Sequence, residues 1–353
     1  MKYIIQVLFV IITFNVCYGQ ESKTYTIKTE KGKKIIENKA PLWKENGIEL
    51  KFYRQIGKEE GKDENYLFYY PDDIALDSRG NIYVAEIGNV RIQKFDANLN
   101  YIKTIGRRGQ GPGEFEEAPG CLEILRDTIY VQSNIGLLQV LTLDGIEIKR
   151  LRLPTTWQFC ITKSGKIITQ YSVTKSMKLY MENKTLEAKH IAIYDDKGIL
   201  LKELSDYIDF GNSEIRTFNL VSYTTDKNDN IYVVYNRINQ FEKHSPDGDF
   251  IYSAIWPVNY KIPVNDKAGW IALARGIEVD YKNRIWIRQV NKLLELKQTK
   301  SEDMSFVIFN DEGILLCSVP VPRKESFKII GDSVYFIDED ETMCIYEYKI
   351  IEK

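Results

Sequence analysis

PDDIALDSRGNIYVAEIGNVRIQKFDANLNYIKTIG, residues 71–106, decides the fold of this chain. Its apolar runs Asp73–Leu76, Ile82–Ala85, Arg91–Phe95 and Tyr101–Ile105 are separated by Asp77-Ser78-Arg79-Gly80-Asn81, Ile87-Gly88-Asn89 and Asp96-Ala97-Asn98. Short runs of Ile, Val, Tyr and Phe between Gly, Asn and Asp clusters predict strands joined by tight turns, hence an antiparallel meander. A single sheet of this size would leave an apolar face uncovered, so the unit calls for copies of itself.

Working outward, the copies are present. A turn followed by an Ile-aromatic-Val-like strand occurs at Gly80–Val84, Asp127–Val131, Gly165–Ile168, Asp229–Val233, Asn283–Ile287 and Asp332–Phe336. A second landmark, an Asp/Gly hairpin followed by an outer strand, occurs at Asp96–Ile105, Asp144–Leu153, Asp195–Leu204, Asp247–Trp256 and Asp311–Val319. The chain ends at Lys353 before another outer strand, but Asn46–Gly57 mimics Asn98–Gly106 at the other end. The expectation is an all-β, six-bladed β-propeller of four-stranded antiparallel blades. Its last blade, Phe327–Ile350, is closed by the N-terminal strand, which removes the free edge of an open array.

Tyr83–Phe95, with Glu86, Gly88-Asn89 and Arg91-Ile92, resembles an NHL repeat, and Gly106–Phe115 resembles the Gly-rich link between NHL blades. With its leader, the chain resembles exported six-bladed propeller proteins of Bacteroidetes. The other blades keep the landmarks and lose the Gly-Asn-x-Arg-Ile core, so the resemblance speaks for the fold.

The 48 basic and 50 acidic residues leave a net charge of -2 without long blocks of either sign, which argues against a nucleic-acid or polybasic membrane partner. Lys2, the apolar Tyr3–Phe14 and the small or polar Asn15–Gly19 predict a signal peptide over residues 1–19. Residues 20–40 are polar and Lys-rich and are expected to be a flexible segment, with the propeller over 41–353. The product is expected to be periplasmic or secreted, monomeric and without a transmembrane segment. Lipidation at Cys17 is the alternative, disfavoured by Val16 before it. Cys121, Cys160, Cys317 and Cys344 lack metal-site spacing and read as buried small hydrophobes, with a disulfide left open.

In a meander blade with strands a to d, the b–c turns and the d-to-a links share one face. Here those connections hold most of the loop length and the unusual side chains. The expected ligand-binding residues on this face are Arg237, Arg288, Trp157, Trp270, Arg275 and Tyr171, because aromatic faces with guanidiniums suit a protein or glycan ligand. His190 and His244 have no metal-ligand spacing and read as surface strand positions. Gly109-x-Gly111-x-Gly113 has no strand leading into a helix, so it reads as an interblade turn rather than a phosphate loop. The main reading is a binding propeller without a catalytic residue or cofactor. The alternative is a lactonase- or lyase-like enzyme holding a divalent cation such as calcium through Glu86, Asn134 and Asn236.

Overall fold

The computed structural model describes residues 24–44, 47–153, 158–170, 189–206, 220–259, 273–292 and 300–353. The turn chemistry is built the same way in several blades. In the first turn of blade 1, the Asp77 carboxylate accepts the N–H groups of Arg79 and Asn81. Asp226 and Asp280 treat Asn228 and Asn230, and Lys282 and Arg284, alike. The aromatic of the next strand then reaches back to the second carboxylate oxygen. Tyr83 and Tyr232 donate their hydroxyls to Asp77 and Asp226 at 3.1 Å, and Trp286 donates Nε1 to Asp280 at 2.9 Å. The recurrent Asp turn and the buried aromatic are therefore one hydrogen-bonded device, which lets a polar atom of a core side chain stay satisfied.

Six blades result. Blade 1 is β4 (Pro71–Leu76), β5 (Ile82–Glu86), β6 (Arg91–Phe95) and β7 (Tyr101–Ile105). The innermost strands of blades 2 to 6 are β8 (Leu122–Leu125), β12 (Phe159–Ile161), β16 (Val221–Thr225), β20 (Ala274–Val279) and β24 (Ser326–Ile330). Apolar side chains from neighbouring blades form a cluster at every junction, such as Tyr83 and Ile92 with Ile129 and Val131 between blades 1 and 2. The core is thus a ring of inter-blade layers around a polar channel.

The closure is as expected. β3 (Ile48–Ile56) pairs antiparallel with β26 (Ile345–Glu352) and supplies the outer strand of blade 6. The likeness of Asn46–Gly57 to Asn98–Gly106 has a physical basis. Gly57 and Gly106 end equivalent outer strands with φ of +91° and +72°, and the rings of Phe68 and Phe115 lie where a Cβ would be. Only glycine serves at such a position.

The segment ahead of it differs from the expectation of a flexible stretch. β1 (Tyr25–Glu30) and β2 (Lys33–Asn38) form a hairpin, and β2 pairs in parallel with β19 (Phe250–Ile255), the outer strand of blade 4. Asn38 then bonds Ile255 and Gly313 carbonyls and the Leu315 N–H, while Leu42 and Trp43 donate to Leu315 and Leu316. Residues 25–44 and 47–56 therefore run as a belt along the outer edges of blades 4, 5 and 6. Lysines masked the segment in the sequence, although Ile36 within it is buried.

Both histidines also differ from expectation, being buried rather than on the surface. His190 packs edge-on against Tyr235 at 5.6 Å, and His244 contacts the Glu242 carboxylate and the Ser205 hydroxyl. The Gly-rich link is an interblade turn as read. The Glu114 carboxylate takes the Gly111 N–H and the Arg107 guanidinium, and Arg150 holds the Gly111 carbonyl.

Candidate functional site in the central channel

The innermost strands expose a register rule. The residue paired with the landmark position of the second strand faces the channel, giving Ala75, Glu123, Cys160, Thr224, Glu278 and Lys328. These six form the waist of the channel, lining a cavity of about 250 Å³ below. Above the waist, on the face of the b–c turns and interblade links, a cavity of about 330 Å³ is added to by Asp72, Asp73, Tyr223 and Glu339, with Phe159 and Phe327 in its wall.

Lys328 organises this ring. Its ammonium donates to both oxygens of Asp73 at 3.1 and 3.0 Å and to the Leu122 carbonyl at 2.8 Å, and it lies 3.4 Å from Glu123. One side chain of blade 6 thereby fastens blades 1 and 2. Burial works against its charge, yet the carboxylates of Asp73 and then Glu123 outweigh it and hold the ammonium well above the usual lysine range. Asp73 Oδ2 also accepts the Leu122 N–H at 2.7 Å. Glu278 has a different setting, accepting a bond from the Thr224 hydroxyl at 3.3 Å. Burial pushes its carboxyl up to about 8, and burial followed by the charges of Asp73 and Glu339 pushes Asp72 up to about 7. Both are partly buried side chains lining the channel, where the surrounding protein displaces water from the charged form.

Cys121 and Cys160 line the same upper cavity as free thiols, and burial raises both well above the usual thiol range. Cys317 and Cys344 are buried and free, as a structural role would have it.

The residues singled out from the sequence fare unevenly. Trp157, Trp270 and Tyr171 lie outside the described residues. Arg275 and Arg288 are brought together: Arg288 Nε donates to the Arg275 carbonyl at 3.1 Å, and Nη1 donates to the Lys324 and Glu325 carbonyls. Arg288 also stacks over Phe327 at 5.2 Å, and burial lowers its guanidinium to about 10. It clamps the link into blade 6. Arg288→Met is therefore expected to cost about 1.5–3 kcal/mol by stranding three carbonyls, read as a lower urea midpoint at unchanged slope. Arg237 is likewise buried, in the b–c turn of blade 4. Arg275 lines an adjoining cavity of about 320 Å³ with Lys324 and Asp338–Glu341 on the same face, sharing Ser326, Ile337 and Glu339 with the upper cavity.

Glu86, Asn134 and Asn236 are joined by no contact among the described residues. The Glu86 carboxylate is taken by Arg91 Nε at 2.8 Å, Asn89 Nδ2 at 2.7 Å and the Tyr69 N–H at 3.1 Å. Asn236 Oδ1 accepts the Ser222 hydroxyl at 3.2 Å. The Glu86 carboxylate is thus already engaged by three protein donors. Among the described residues there is also no group of three His, Cys, Asp or Glu side chains that could hold a metal ion.

The model of the NHL repeat matches residues 68–95, which span β4 to β6. That stretch is similar to an NHL repeat. Its signature residues Glu86, Asn89 and Arg91 are the bonded triplet just described, so the NHL turn is a structural device. No curated protein matches the chain. Among solved structures, a DUF4221-family member from Bacteroides vulgatus is 14% identical over 88% of this chain and 100% of its own, with a TM-score of 0.59. A candidate exported protein from Bacteroides fragilis is 11% identical over 90% and 99%, with a TM-score of 0.57. At such identity the likeness is one of fold, the six-bladed propeller. No helix among the described residues is long and apolar enough to cross a membrane.

The ring was missed in the sequence because one charged residue per strand reads as ordinary alternation. The available signal was Glu in LEIL, Glu in RGIEV and Lys in SFKII, each one or two residues before the end of its strand.

Proposed function

We infer that this chain is an exported binding propeller, periplasmic or secreted, that receives a protein or glycan ligand at the channel mouth on its b–c and d–a face. The observation that carries this reading is the cavity of about 330 Å³ above the waist, where carboxyl, amide, hydroxyl and aromatic groups from several blades converge. Rigid walls supplied by separate blades make a preformed receptor, which lowers the cost of binding. The exported resemblance and the leader-like residues 1–19 support the location.

Ser326 is exposed at the rim of this cavity, so Ser326→Trp obstructs it without disturbing the core. Calorimetry of the mature chain against soluble oligosaccharides and short peptides is expected to find a ligand whose binding Ser326→Trp abolishes. Arg79→Ala, in an exposed turn on the opposite face, leaves that binding intact. A ligand indifferent to Ser326→Trp overturns the placement. Lactone or glycan turnover that depends on added calcium, with calcium raising the melting temperature, would replace the binder with the divalent-cation enzyme.

A further inference from the structure

The upper cavity is walled by the carboxyl groups of Asp72, Asp73, Glu123, Glu278 and Glu339 against the single ammonium of Lys328. Lys328 answers Asp73 and Glu123. Asp72, Glu278 and Glu339 have no ion pair among the described residues. The channel already shows how it holds an ammonium: carboxylate oxygens and a strand carbonyl surround Lys328 Nζ at 2.8–3.4 Å. On the neighbouring blade 5 Glu278, bonded to Thr224, offers the same kind of acceptor; Lys328 lies near enough to favour its charge, but no ion pair joins them among the described residues.

We propose that the upper channel binds a small ligand through a primary ammonium group seated against Glu278, with the body of the ligand in the cavity above and its apolar side on Phe327. The proposal rests on the binding reading and names the ligand chemistry. A primary ammonium has N–H donors for carboxylate and hydroxyl acceptors, which the wall supplies. A quaternary ammonium would call for an aromatic cage, which the polar wall does not provide.

The protonation of the wall gives this binding a pH signature. Glu278 is faced by Thr224 from β16, Lys328 from β24, Glu123 from β8 and Asp73 from β4, and its carboxyl is held up to about 8. Asp72, near Asp73 and Glu339, is held up to about 7. The neighbouring Cys121, Cys160 and Tyr223 are pushed up and stay neutral in this range. An ammonium needs the ionised carboxylate, so binding expels a proton, and affinity rises as pH rises toward the Glu278 value.

The test is calorimetry on the folded mature chain with glucosamine and Nα-acetyl-lysine amide, each against its N-acetylated neutral form. The expected result is that at least one amine binds about tenfold or more tightly than its neutral form, the worth of one charge-assisted bond. Its affinity should rise about tenfold or more from pH 6 to pH 8.5, with proton release seen as a buffer-dependent heat. Which amine binds decides between an amino sugar and a lysine side chain. Glu278→Gln is expected to remove both the amine preference and the pH dependence while the melting temperature is kept or raised. Equal binding of charged and neutral forms, or binding of neither amine, overturns the inference. If neutral glycans or peptides still bind at the mouth, the function proposed above survives; if no panel member binds there, both fail.

Discussion

A mature chain lacking residues 21–56 is expected to lose its cooperative melting transition. β3 contributes eight paired residues to the ladder with β26, together with the fully buried Ile48 and Ile56 and the Arg54–Glu347 ion pair at 2.6 Å. Two buried isoleucines alone are worth about 3–6 kcal/mol, comparable with the whole stability of many domains. Their loss also opens β26 as an unpaired edge, a template for aggregation. Deleting only residues 21–38 should behave differently. The hairpin lies outside an already four-stranded blade 4, so the ring stays closed and the chain still melts cooperatively at a lower temperature. Circular dichroism melts and size exclusion of both deletions check this. Equal, undisturbed melting of the longer deletion would refute the closure.

Two substitutions in the channel waist are expected to move stability in opposite directions. Lys328→Met leaves Asp73 and Glu123 without their shared ammonium and should cost about 3–5 kcal/mol near neutral pH. The deficit should shrink toward pH 5, where Glu123, whose carboxyl burial already pushes up, can take up a proton. Glu278 behaves the other way because its folded carboxyl sits at about 8, above its ordinary value. The folded state then binds the proton more tightly than the unfolded state, so its favourable contribution is present at acid pH and is lost as pH rises through about 8. Glu278→Gln should therefore be close to neutral at pH 5 and stabilising at pH 9, by on the order of 1–3 kcal/mol once the open side of the channel is allowed for. Urea unfolding at pH 5, 7 and 9 reads both. A Glu278→Gln variant that is less stable at pH 9 than the native chain would show that the carboxylate is compensated there.

Turn chemistry made the blades legible. Asp77, Asp226 and Asp280 announce their turns because a short carboxylate can bind backbone N–H groups two and four residues on, a local interaction that sequence spacing records. Closure was legible for a similar reason, since Gly57 and Gly106 mark matched strand ends with a strained backbone and an aromatic against it. The belt of residues 25–44 was not. Its bonds run to Ile255 and Leu315, more than two hundred residues away, and no local pattern encodes such partners.

The candidate site divides along the same line. The sequence alone determined that long connections gather on one face, and it picked out Arg288 by type. Only the tertiary structure decided that Arg288 is consumed by the Arg275, Lys324 and Glu325 carbonyls, and that Glu86 is consumed by Arg91 and Asn89. It also decided that Glu123, Glu278 and Lys328, spread over two hundred residues of chain, meet across a few ångströms of channel. The physical reason is range. A turn or an amphipathic strand is set by neighbours a few residues away, whereas the charge and protonation of a ring depend on closing all six blades around it.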